Sequence, residues 1–163
     1  MSFPFLKKHA DIIIVAVFII LAMWAIPDHD VYLRAQVPGL IEAAEKGDIA
    51  AQSRLANWYF YGTGVPAKKE KFLKWAHMAA ENGDGHAQVL LGYFYMNHAH
   101  QYEEGLKWAR MSAAQGWPRG ERFLGYLYSN GIGVKTDHEQ AMEWWKKAAL
   151  HGDDGAAGNL GGY

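Results

Sequence analysis

Three stretches of the chain repeat one order of apolar and small residues. Leu-Ala-Asn-Trp-Tyr occupies 55–59, Leu-Gly-Tyr-Phe-Tyr occupies 91–95 and Leu-Gly-Tyr-Leu-Tyr occupies 124–128. Each stretch continues to a tryptophan (Trp75, Trp108, Trp144) and closes on small residues and a glycine (Gly83, Gly116, Gly152). The copies begin at positions 51, 87 and 120, so the period is 36 and then 33 residues. A period of this size predicts a solenoid of stacked helix pairs.

Glycines mark both ends of the second helix in this pattern. The first and third copies carry Gly-x-Gly-Val at 62–65 and 131–134, where a tight turn between helices needs backbone freedom. The closing glycines fit the position just after a helix. The middle copy lacks Gly-x-Gly-Val, has Met-Asn-His-Ala-His at 96–100 and is three residues shorter. One helix pair cannot bury its own apolar face, so we expect the pairs to stack.

The repeated residues resemble the Sel-one-like repeat, a relative of the tetratricopeptide repeat. The match rests on Ala, Leu-Gly, Tyr, Gly-x-Gly-Val, Trp, Ala-Ala and Gly at family spacing over about residues 48 to 155. The resemblance implies an all-α fold, a short right-handed solenoid of three helix-turn-helix repeats at 48–86, 87–119 and 120–155. Partial repeats flank them: a connector and leading half-repeat at 28–47, and a truncated repeat or tail at 156–163. We expect a short connection near Pro27 to Pro38, and Ala-Ala-Glu-Lys-Gly at 43–47 resembles the end of a second helix, which makes 31–46 the candidate leading half-repeat.

The N-terminal region predicts a membrane anchor. Residues 12–26 are fifteen consecutive apolar residues, preceded by Lys7 and Lys8. A cleaved signal peptide is the alternative, but Trp24 stands near the end of the run and no small-x-small cleavage site is clear. We therefore expect a transmembrane helix over 10–27 in contact with the lipid bilayer. The basic flank predicts a cytoplasmic N-terminus at 1–9 and a repeat domain on the other side of the inner (plasma) membrane, the periplasm in a bacterium.

Composition excludes several classes of function. The 163 residues are 50% hydrophobic and 14% aromatic, which provides material for a packed core. The formal net charge is −1, so no basic patch for nucleic acid is indicated. The chain has no cysteine, which removes thiol nucleophiles, cysteine-ligated zinc and disulfides.

Few residues suggest chemistry, and we expect no catalytic group, metal or cofactor. The Gly-x-Gly turns follow no strand and lack Gly-Lys-Ser/Thr, so they are turns rather than phosphate loops. His98 and His100 lie near Glu103 and Glu104, but a metal site needs a third fixed ligand, and a polar loop is the favoured interpretation. Asp-His-Asp at 28–30 is interpreted as solvated. Asp137 is predicted to cap the helix that follows it.

Positions that change between repeats are free to serve a partner, whereas recurring ones form the core. On each first helix, one stripe steps by four and then three residues, which places each trio on one helical face. By resemblance to tetratricopeptide domains, this stripe matches the concave, ligand-facing positions. Its residues are Ser53, Asn57, Phe60, Val89, Tyr93, Met96, Arg122, Tyr126 and Ser129. An alternative stays open for Tyr93 and Tyr126, namely that they pack between neighbouring repeats.

The leading hypothesis is a membrane-anchored adaptor or accessory subunit that binds a partner protein in an inner-membrane or envelope complex. Proteins with the repeats that this chain resembles serve as scaffolds, and the resemblance implies that class. A periplasmic immunity protein that neutralises a toxin is the first alternative. A hydrolase acting on cell-wall substrates is the second, and the absence of cysteine disfavours it because the relatives linked to that activity resemble disulfide-rich chains.

Overall fold

Short helices alternate with glycine-ended turns throughout residues 29–161, the part of the chain that the computed structural model describes. The helices are α1 (His29–Glu45), α2 (Ile49–Tyr61), α3 (Lys69–Glu81), α4 (Gly85–Asn97), α5 (Tyr102–Ala114), α6 (Pro118–Asn130), α7 (His138–Leu150) and α8 (Asp154–Leu160). Residues 29–161 contain no strand, which confirms the all-α solenoid.

The predicted anchor at 10–27 and the predicted cytoplasmic N-terminus at 1–9 lie outside the described residues. Within the described part, none of the helices combines the length and the apolar character that crossing a bilayer requires.

The turns follow the capping chemistry that the sequence indicates. Asp137 accepts a hydrogen bond from the Gln140 amide at 3.0 Å, which confirms the predicted cap of α7. Gly83, Gly116 and Gly152 follow the second helices with φ of +91°, +71° and +92°, as the sequence predicts. These stops fix the helix lengths, and α2 to α7 each have 13 residues.

The connection expected near Pro27 to Pro38 is helical from residue 29 onward, as a leading half-repeat over 31–46 requires. Helix α1 begins at His29 and continues through Pro38. Proline removes one amide donor from a helix, which normally favours a break. Here Leu40, Ile41 and the fully buried Ala44 pack against the first core cluster. That tertiary packing holds the segment helical on both sides of the proline.

Each first helix packs against its own second helix through very small residues. A β-carbon built on Gly105 of α5 would stand 3.0 Å from the Gly92 carbonyl oxygen of α4, and one built on Gly125 of α6 would stand 3.0 Å from the Ala141 carbonyl oxygen of α7. The first helices α2, α4 and α6 also contact one another, whereas the second helices α3, α5 and α7 are spread further apart. The first helices therefore line the inner side of the stack.

Most recurring residues form the core, but Tyr95 and Tyr128, the counterparts of the buried Tyr59, are only half-buried. Leu55, Leu91 and Leu124 are at most 2% exposed. Trp75 and Trp108 are also buried, but their counterpart Trp144 is half-exposed at the edge of the second core cluster. Helix α7 is covered by α8, which has only seven residues, so less surface shields this tryptophan.

Filling the close approach at Gly92 is expected to destabilise the stack. A β-carbon there would stand 2.6 Å from the Phe123 ring of the next repeat. Overpacking a tight core of this kind costs about 1–3 kcal/mol. We predict that Gly92→Leu lowers the free energy of unfolding by that amount, measured by urea denaturation with circular dichroism. The control is Gly39→Ala, a helical position with nothing within 4 Å, where stability should be unchanged or higher. An unchanged midpoint for Gly92→Leu would contradict the packing described here.

Candidate partner-binding surface

The nine stripe residues divide by burial. Ser53, Val89 and Met96 are buried, and their side chains form part of the packing between helices. Asn57, Phe60, Tyr93, Arg122 and Ser129 are half-buried, and Tyr126 is 44% exposed. We call the side of α2, α4 and α6 that carries Asn57, Tyr93 and Tyr126 the inner face. That its residues contact a partner stays a prediction.

Stripe residues of repeat one lock onto the start of the next first helix. The Ser53 hydroxyl donates to the Asp84 carboxylate at 2.8 Å, and the same carboxylate oxygen accepts from the amide of Ala87 at 2.6 Å. Asp84 thus caps α4 and holds the preceding repeat at once. One turn further along, Asn57 Oδ1 lies 3.1 Å from His86 Nε2. Ser53 and Asn57 therefore join repeat one to the first helix of repeat two.

Apolar residues stand at the corresponding positions of repeat two. Val89 is the counterpart of Ser53. Trp117 is the counterpart of Asp84, the helix cap that Ser53 contacts. The Tyr93 ring packs on Phe123, with centroids 4.2 Å apart. Burial raises the pKa of the Tyr93 phenol. For Tyr93, packing between repeats is what the structure shows, while Tyr126 is 44% exposed and no described ring stacks on it.

Repeat three returns to a charged joint. Arg122 Nε lies 2.8 Å from Asp153 Oδ1, and the same oxygen accepts from the Ala156 amide at 3.0 Å, which caps α8. The backbone carbonyl of Arg122 accepts from Trp145 Nε1 at 3.2 Å. The Arg122 side chain therefore contacts the cap of α8, and its backbone carbonyl contacts α7, so this residue helps to hold the stack together.

A buried polar residue directly before the stripe on each first helix bonds to the end of a second helix. The Gln52 and Gln88 side-chain amides donate to the carbonyls of Ala44 and Ala80 at 2.9 and 3.0 Å. The third copy has Glu121 there, which is 2% exposed and lies 2.8 Å from His151 Nδ1. These bonds satisfy the buried side-chain NH2 groups and the Glu121 carboxylate, whereas Gln52 Oε1 has no partner among the described residues.

Sequence reasoning missed three residues of the inner face. Stepping the stripe back by three residues reaches His86 and Arg119, which are half-buried and exposed, and Arg54 is exposed beside them. Burial lowers the pKa of His86, Arg119 lowers it further, and Asp84 opposes them in part. His86 is therefore mainly neutral at pH 7. Among the described residues no carboxylate pairs with Arg54 or Arg119, so the face is basic.

The histidines of the shortened turn lie against aromatic rings. The His98 ring stacks on Phe94 with centroids 5.5 Å apart, and His100 Nδ1 lies 3.4 Å from the Tyr102 hydroxyl. Residues 29–161 bring together no group of three histidine, aspartate or glutamate side chains that could hold a metal ion.

Solved structures similar to this chain share the repeat architecture. A Sel1 repeat protein from Oxalobacter formigenes is 32% identical with a TM-score of 0.67, and the match covers 78% of this chain and 98% of that one. The antigen c5321 of uropathogenic Escherichia coli, described as displaying an SLR fold, is 34% identical with a TM-score of 0.74, over 79% of this chain and 28% of that one. Cysteine rich protein B of Helicobacter pylori is 21% identical with a TM-score of 0.63, over 82% and 98%, and shows the fold alone. None of the curated proteins matches this chain.

The family assignment rests on the repeats themselves. The Sel1 repeat model matches residues 49–84, 85–117 and 118–153, which is more than half of the chain. Each match begins at the first residue of a first helix and ends at the N-cap residue of the following first helix. The chain therefore belongs to the Sel1 repeat family, the one that its sequence pattern resembles.

Proposed function

We propose that the chain is a membrane-anchored adaptor whose inner face binds a partner protein in an inner-membrane or envelope complex. The observation that supports this most directly is the character of the inner face. Tyrosine, tryptophan and arginine are the residue types most often found at binding hot spots. Tyr126 is 44% exposed on this face, which also carries Arg54 and Arg119, two guanidinium groups that pair with no carboxylate among the described residues.

The inner face supports binding because its exposed residues do not serve the stack. Val89 and Tyr93 already pack on neighbouring residues, and Ser53 and Arg122 already pair with the next helix cap. Tyr126, by contrast, occupies the position of Tyr93 in the last full repeat, and no ring within residues 29–161 covers it. An exposed tyrosine beside arginines supplies apolar area and directional donors to a partner.

The proposal is a non-catalytic one. The absence of cysteine disfavours the hydrolase alternative, and the His98 and His100 rings contact Phe94 and Tyr102. The sequence-based prediction of an anchor over 10–27 favours a role at the membrane, since tethering raises the effective concentration of a domain for partners in the same membrane.

Removing the exposed side chains of the inner face should release the partner. We predict that the triple variant Arg54→Ala, Arg119→Ala, Tyr126→Ala weakens retention of cross-linked, co-purified protein by at least about tenfold, because each residue type can contribute hot-spot energy. The measurement is quantitative mass spectrometry after gentle-detergent purification from the native host.

The matched control for this experiment changes three exposed residues on the second helices: Arg110→Ala, Met111→Ala and Lys146→Ala. Circular dichroism should show both triple variants folded, since none of the six residues is buried. Equal retention by the inner-face and control variants would overturn the inner-face proposal. Absence of any specific co-purifying protein would overturn the adaptor proposal itself.

The tether makes a separate prediction about location. The full chain should stay in the membrane pellet after alkaline carbonate extraction, and a chain lacking residues 1–28 should be released. In spheroplasts, added protease should digest the repeat domain, because the basic flank orients the N-terminus toward the cytoplasm. Release of the full chain by carbonate would contradict the anchor, and protection of the repeats in spheroplasts would contradict the orientation.

A further inference from the structure

In repeats one and three, the turn between the two helices packs over the N-terminal part of the second helix of the preceding repeat. Gly64 of repeat one lies against Leu33, and Gly133 of repeat three lies against Tyr102. A β-carbon on these glycines would stand 2.6 Å from Leu33 Cβ and 2.7 Å from the Tyr102 carbonyl oxygen. Leu33 and Tyr102 occupy equivalent places, 36 residues before and 33 residues after Lys69. The turn of repeat two is therefore the one that should cover Lys69.

The shortened turn does not do so. In all three repeats, the residue before the second helix donates its amide to an equivalent tyrosine carbonyl: Lys68 to Tyr59 at 3.1 Å, Gln101 to Tyr95 at 2.9 Å and Asp137 to Tyr128 at 2.9 Å. The two residues that this bond joins are nine positions apart in repeats one and three but six positions apart in repeat two. The three missing residues belong to the segment that covers the preceding helix. A cavity of about 440 Å³ lies at the uncovered place.

Aromatic rings build this cavity, which we call the notch. Phe72 and Phe94 form its floor, and Phe60 and His98 form its walls. Neighbouring rings are in contact, with centroids 4.8 Å apart for Phe60 and Phe72, and 5.3 Å apart for Phe72 and Phe94. Phe72 is specific to this repeat, since its counterparts are Gly105 and Ala141. The volume is in the range of ligand pockets, which is about 300–1,000 Å³.

Lysines surround the mouth of the notch. Lys68 and Lys69 line it, and Lys71 is one turn away, with Glu70 as the acidic residue between them. The Lys69 ammonium lies 5.5 Å from the centre of the Phe94 ring. Within residues 29–161 no carboxylate forms an ion pair with these lysines. Cations at the start of a helix oppose its dipole, so these lysines do not stabilise α3.

We propose that the notch binds an acidic segment of a partner protein. One bulky apolar side chain of that segment packs on the Phe72 and Phe94 floor, and its flanking carboxylates pair with Lys68 and Lys69. The charge complementarity of lysines beside an aromatic cavity sets this chemistry. The inference rests on the proposed function, that the domain binds a protein, and adds a second contact site at the edge of the stack.

The experiment uses a phage-displayed library of random dodecapeptides, selected on the full chain in mild detergent. We expect the selected sequences to converge on one aromatic or large aliphatic residue flanked by aspartate or glutamate. The Kd of the synthetic peptide is then measured by fluorescence anisotropy against two notch variants. Lys68→Glu with Lys69→Glu reverses the charge at the rim and should weaken binding at least about tenfold, with stability maintained because acidic residues suit a helix start.

The second variant closes the notch without touching its lining on α2 and α3. Residues 98–101 are replaced by the seven-residue turn 131–137 of repeat three, which should place its second glycine over Lys69 as Gly133 lies over Tyr102. We expect this graft to fold and to lose peptide binding. The control Lys135→Glu with Lys146→Glu makes the same change in charge at exposed positions elsewhere and should bind normally.

The outcomes separate this inference from the proposed function. Selection of basic or purely polar peptides, full binding by the graft, or equal weakening by the control would overturn the notch. Peptides that lose affinity only when Arg54, Arg119 and Tyr126 are changed would also overturn it, while supporting the inner face. Loss of partner retention in the inner-face triple variant with no effect of either notch variant would leave the proposed function standing and the notch refuted.

Discussion

The structure depends on a helix pair that cannot cover its own apolar face. Leu55 and its counterparts are buried in the stacked pairs; the close approach of Gly92 and Gly105 joins the two helices of one pair, and Gly92 also admits the Phe123 ring of the next pair. The glycines cost backbone entropy in a helix, so their use here reflects the distance between axes rather than helix propensity. The turn lengths, the joints between repeats and the exposed surface all follow from this stacking.

Stacking also decides which residues remain for recognition. A residue that locks one repeat onto the next cap, such as Ser53 or Arg122, gains a fixed position and is wholly or partly shielded from solvent. Arginine and tyrosine side chains one turn away, or in the last full repeat, stay accessible. The shortened turn adds a different kind of site, because it withholds the segment that covers the preceding helix elsewhere. Both surfaces are basic and aromatic, so one acidic partner could contact both.

Much of the fold could be predicted from the sequence because the evidence for it is local and repeated. The recurring leucines, the closing glycines and the Asp137 cap depend on residues within one repeat. The joint between Ser53 and Asp84 spans 31 positions and depends on the rotation of one helix against another, which periodicity does not determine. Helix α1 continues through Pro38 because tertiary packing outweighs a local preference. The notch could not be predicted, because the cover that the Gly64 and Gly133 turns give to the preceding second helix is a contact between repeats that the sequence does not reveal.

The central claim is that recognition lies at positions that differ between repeats, on the inner face and in the notch. Hydrogen–deuterium exchange of the full chain, alone and with its captured partner, tests this claim most directly. The account predicts new protection in the amides of α6 near Tyr126 and in the α2–α3 segment around Lys68, with α5 and α7 unchanged. Protection confined to the outer surfaces of α5 and α7, or none at all within residues 29–161, would contradict it.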